Sequence, residues 1–76
     1  MEEKILDFRG RCNFPALIID AKRLLKTLMP GDRICILTFD PNAINDIKAF
    51  CKFTKNELVE TDCKNQEYKI IIRKLG

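Results

Sequence analysis

From Pro15 to Met29, apolar residues recur at three- and four-residue spacings: Leu17, Ile18, Ala21, Leu24, Leu25, Leu28 and Met29. That period predicts a long amphipathic helix, opened by a proline whose missing N–H is not needed in the first turn. Pro30-Gly31 supplies its stop signal. An amphipathic helix needs a second layer to cover its apolar stripe, and the segments around this one are of strand type. Lys4-Ile5-Leu6-Asp7-Phe8 reads as a short strand with Leu6 and Phe8 on one face, broken by Gly10. Arg33 to Phe39 is apolar on both faces, the mark of an inner strand, and its Cys35 is expected in the core. Asp40-Pro41-Asn42 is a turn and helix-start signal leading into a second helix on Ala43, Ile44, Ile47, Phe50 and Cys51. Glu57 to Cys63 and Tyr68 to Lys74 are strand-like and flank the polar turn Lys64-Asn65-Gln66-Glu67.

The order β-α-β-α-β-β predicts a two-layer α/β (α+β) sandwich, a four-stranded mixed sheet with both helices on one face and a closing hairpin. With 76 residues the chain makes a single domain, 1–76, with one modest core and no room for a deep cofactor pocket. No apolar run approaches membrane-spanning length, and the N-terminus lacks the layout of a secretory signal, so a cytoplasmic protein with no membrane partner is expected. A net charge of +3 permits an acidic partner but falls short of the dense basic field of a dedicated nucleic-acid binder, so no direct nucleic-acid contact is expected.

Cysteines 12, 35, 51 and 63 form no C-x-x-C pair and histidine is absent, which leaves no zinc signature and no Cys-His or Ser-His arrangement. Any nucleophile must therefore draw on its electrostatic setting. Cys12 has that setting: it stands just ahead of a proline-opened helix, where unpaired backbone N–H groups and the positive end of the helix dipole favour thiolate over thiol. The flanking Arg9 and Arg11 push the same way. Cys51 falls on the apolar stripe of the second helix, and Cys63 lies at a strand end. On the first helix Lys22, Arg23 and Lys26 lie opposite the apolar stripe with Ile19 stranded among them, a candidate partner-docking face.

These residues resemble the TusA (SirA-like) sulfur-carrier family, whose signature is an N-terminal L-D followed by G-x-x-C-P-x-P at the start of the first helix. The matching residues here are Leu6-Asp7, Gly10 and Cys12-Asn13-Phe14-Pro15. Further matches are Ala21-Lys22, Leu24, Pro30-Gly31, Asp40-Pro41, Asp46-Ile47, Phe50-Cys51, Glu57-Leu58 and Ile72-Arg73-Lys74. Asn13 replaces the first proline of the pattern, where its side chain is able to cap the helix, and the step from Gly10 to Cys12 is one residue shorter. The resemblance implies that Cys12 accepts sulfane sulfur from a cysteine desulfurase as a persulfide. It would then pass the sulfur to an acceptor protein, typically toward 2-thiolation of tRNA uridine. It implies no metal or organic cofactor, and it makes the chain a covalent carrier rather than a turnover enzyme. Arg9, Arg11 and Asn13 would stabilise the anion, and a monomer is expected. The rival expectations are a non-catalytic interaction or regulatory module binding protein or RNA through its basic face, and sulfur delivery to another pathway such as molybdenum cofactor assembly.

Overall fold

The computed structural model describes residues 3–10 and 14–75. Six elements follow the expected order: β1 (Glu3–Phe8), α1 (Phe14–Thr27), β2 (Arg33–Thr38), α2 (Ala43–Thr54), β3 (Glu57–Lys64) and β4 (Glu67–Arg73). The sheet order is β1-β2-β4-β3. β1 runs parallel to β2, and β4 enters antiparallel between β2 and β3. The two central strands are thus β2 and β4, the two whose sequences are richest in isoleucine, because only central strands have both edges paired and both faces crowded.

The core lies between the helices and one face of the sheet. Phe8, Ile34, Ile36, Ile70 and Ile72 project from the strands and meet Leu17, Ala21, Leu25 and Leu28 of the α1 segment and Ala43, Ile47, Phe50 and Cys51 of α2. Alternation along the strands sends the remaining side chains to the uncovered face. Cys35 sits there. It is buried, as expected, but against Ile5 and Ile71 of the neighbouring strands and not within the core between the layers. Burial, with the nearby Glu3 adding to it, pushes the Cys35 thiol up.

Met29 departs from the expected stripe. The helix stops at Thr27, and Met29 is 69% exposed in the turn that follows. That turn is held by Asp32, whose carboxylate accepts the Met29 N–H at 3.0 Å. Lys74, just past β4, reaches back with Nζ and donates to the carbonyls of Leu25 at 2.7 Å and Leu28 at 2.8 Å. The end of a helix leaves such carbonyls short of partners, at the negative end of its dipole; that of Leu25 also accepts the Leu28 N–H at 3.2 Å. α2 ends differently, with Lys55 in the left-handed region at φ 60° donating its N–H to Cys51. The β3–β4 hairpin turns on Asn65 and Gln66, both at positive φ, as a two-residue turn matched to strand twist requires.

Candidate functional site

The carboxyl ends of β1 and β2 lie level with the hairpin end of the sheet. Phe8 pairs with Thr38, Thr38 with Tyr68, and Tyr68 with Cys63. Both helices start after strands that end on this edge, so both dipoles present their positive ends toward it. Residues 11–13, and with them Arg11, Cys12 and Asn13, lie outside the described residues; β1 and Gly10 precede them and the first turn of α1 follows. Gly10 sits at φ +79°, with nothing within 4 Å of where a Cβ would stand. Glycine is required there by backbone conformation, not by space.

Arg9 is the described member of the predicted thiolate-stabilising set, and its guanidinium is engaged on two sides. Nε donates to Oδ1 of Asp7 at 3.0 Å and Nη2 to Oδ2 at 2.8 Å, a two-pronged pairing, while Nη1 donates to Oε1 of Glu67 at 3.0 Å. The Arg9 backbone N–H also donates to Asp7 Oδ1, at 3.0 Å. Bonding to Asp7 above all, and then to Glu67, holds the guanidinium charged more firmly than usual. Two carboxylates beside it offset much of the field that Arg9 alone would send toward a neighbouring thiol.

Beyond the clasp, the rim is polar. Thr38 is buried, and its hydroxyl accepts the Asp40 N–H at 3.1 Å. The Asp40 carboxylate accepts the Asn42 N–H at 2.9 Å, so Asp40 shapes the entry to α2, and Asn42 at the N-cap makes no side-chain capping bond. Cys63 is exposed beside Tyr68. Partial burial, with Cys63 and Asp40 close by, pushes the Tyr68 phenol up. Cys51 is packed in the core, where burial pushes its thiol up to about 11. Among the described residues no three His, Cys, Asp or Glu side chains gather as metal ligands would.

Lys22, Arg23 and Lys26 are exposed on the outer side of α1, and Ile19 is 49% exposed among them. α2 adds an aromatic residue that the sequence reading passed over: Phe53, at 88% exposure. It lines an open groove of about 400 Å³ with Ile18, Asp46, Ala49 and Phe50 between the two helices. The signal was present, because Phe53 falls off the stripe made by Ala43, Ile47 and Cys51 just as Ile19 falls off that of α1. The two helices hold five basic and two acidic residues, whereas the rest of the chain has nine of each, so the helical layer carries the whole net charge of +3.

The small two-layer domain thus has one positively poled sheet edge and one basic helical face. The family model of sulfurtransferase TusA matches residues 4–74. The chain belongs to that family, nearly from end to end. Membership makes it a sulfur-carrier, sulfurtransferase-type protein that works in a relay with partner proteins.

Proposed function

We propose that this chain carries sulfane sulfur on Cys12, taking it from a cysteine desulfurase and handing it to a downstream acceptor protein, with 2-thiouridine formation in tRNA as the destination. The observation that carries this reading is the family match across residues 4–74, which includes the Gly10-to-Pro15 segment. In the first half-reaction the Cys12 thiolate attacks the outer sulfur of the donor's persulfide. The donor's S–S bond breaks, its own sulfur leaves as thiolate, and Cys12 becomes a persulfide with no net oxidation or reduction. An acceptor thiolate then repeats the exchange on Cys12. Neither step needs a general base when the attacking thiol is already ionised, which suits a chain without histidine.

The α1 N-terminus, Arg11 and Asn13 are the proposed stabilisers of the anion, with Arg9 contributing through a charge it shares with Asp7 and Glu67. Ile19, Lys22, Arg23 and Lys26 form the proposed docking face, extended by Phe53 and its groove, for an acidic surface with apolar anchors. Incubation with a cysteine desulfurase and cysteine should add one sulfur, about 32 Da, to the Cys12 peptide of the wild-type protein and nothing at that position to Cys12→Ser. An unmodified wild-type Cys12 would refute the proposal. RNA binding that weakens with salt and survives Cys12→Ser would instead favour the interaction-module reading.

A further inference from the structure

The sulfur-carrier reading uses the charge of Arg9 but not the geometry of the clasp that holds it. Glu67 opens β4, while Asp7 is the penultimate residue of β1, and β2 lies between the two strands. Two interstrand spacings separate β1 from β4, roughly 9–10 Å. A side chain that links them must be long and must bond at more than one point. Arg9 does both: one fork takes both oxygens of Asp7 and the remaining nitrogen takes Glu67, 58 positions along the chain. Its backbone N–H is fixed to Asp7 as well, so main chain and side chain are held together. The next residue is Gly10, turned to φ +79°, from which the chain leaves for Cys12.

We propose that Asp7 and Glu67 make Arg9 a positioning residue, one that anchors the departure of the Cys12 segment to the β3–β4 hairpin. This rests on the reading of Cys12 as the sulfur-bearing residue. It assigns Arg9 a geometric role distinct from that of a free positive charge, and the two roles part company in experiment. If charge were the contribution, Arg9→Lys would keep it, and Glu67→Gln would release Arg9 from a carboxylate and make Cys12 more reactive. If anchoring is the contribution, Lys cannot fork to two carboxylates, and Gln gives a weaker acceptor, so both changes loosen the same contact.

The test measures the rate of sulfur loading on Cys12 from a cysteine desulfurase, read peptide by peptide in a mass spectrometer. Its variants are Arg9→Lys, Glu67→Gln, their double and Glu67→Asp, which keeps the charge but shortens the reach. All three residues involved are partly exposed, so the fold should survive, and a cooperative melt confirms it for each variant. The expected result is loading slowed about three- to fivefold in each single variant, with the double no slower than either. Faster loading in Glu67→Gln, or wild-type rates in Arg9→Lys and Glu67→Asp, would overturn the proposal. Alkylation of Cys12 by iodoacetamide separates this failure from failure of the carrier reading. Even if the wild type takes up no sulfur, the two single variants and their double should share one altered alkylation rate; rates equal to wild type, or shifted in opposite directions, would overturn the anchor.

Discussion

Lys74→Met removes the two charged hydrogen bonds that close the far end of α1 and leaves most of the apolar stem in place. Nζ donates to the carbonyls of Leu25 and Leu28 at 2.7 and 2.8 Å in a partly buried setting. A hydrogen bond involving a charged group contributes about 1.5–3 kcal/mol, and a cation at a helix C-terminus about 0.3–1 kcal/mol. The two bonds share one ammonium, so they do not add in full, and both carbonyls regain water in the variant. The net expected loss is about 2 kcal/mol. For a domain of this size that lowers the melting midpoint by roughly 8–16 °C. Denaturant melts followed by circular dichroism give the free energy, and an unchanged denaturant slope confirms that the folded and unfolded ensembles are otherwise alike. Amide exchange should accelerate first at Leu28 and Met29, whose N–H groups bond to Leu25 and Asp32 in this same turn. Cys12 lies beyond the opposite end of α1, so its alkylation rate should be unchanged. A stability loss below 0.5 kcal/mol, or exchange that rises only near β4, would refute the assignment of Lys74 as a helix-end cap.

Three further outcomes are expected. Ile36→Ala empties a fully buried central-strand position and should cost about 3–4 kcal/mol, read by chemical denaturation. Gly10→Ala meets no atoms but is strained at φ +79°; it should cost about 1 kcal/mol and slow sulfur loading on Cys12. Raising the pH destabilises the fold through Cys51. Its thiol is neutral in both states below pH 9; above that the unfolded thiol ionises while the folded one holds its proton until about 11, so stability falls across this interval and Cys51→Ala should flatten the fall in alkaline denaturation curves.

Much of the fold was legible because each element announces itself locally. The stripe from Leu17 to Leu28 is helical by spacing, the two-faced apolar run of β2 declares an inner strand, and the isoleucines of β4 declare a strand. What could not be read was long-range. Nothing in the local sequence places β4 between β2 and β3, because that order depends on where the hairpin docks. Nor does it pair Glu67 with Arg9 or Lys74 with the end of α1, contacts between residues 58 and 46–49 positions apart. Cys35 shows the same gap on a smaller scale. Its apolar neighbours predict burial, but which face it takes is fixed by register: Ile34 and Ile36 face the helices, so Cys35 faces away.

The segregation of charge bears on how a chain with a single small core divides its tasks. If the excess charge lay around the proposed reactive edge, it would attract any acidic surface to Cys12 and give little selectivity; here the charge resides on the helices, and Asp7, Glu57, Glu60 and Glu67 of the strands are paired with arginine or lysine. On the proposed docking face, steering and anchoring fall to the helical layer, where Lys22, Arg23 and Lys26 would orient an acidic partner and Phe53 would supply a large apolar contact. Because α1 follows the Cys12 segment in the chain, a partner gripping the helix there would be brought to the thiol in one orientation. Phe53→Ser should accordingly weaken loading by raising the apparent KM for the desulfurase about tenfold, with kcat and the melting temperature nearly unchanged, since an 88% exposed ring contributes little to the fold. A fall in kcat at constant KM would place Phe53 outside the docking surface and return the selectivity to the Cys12 segment itself.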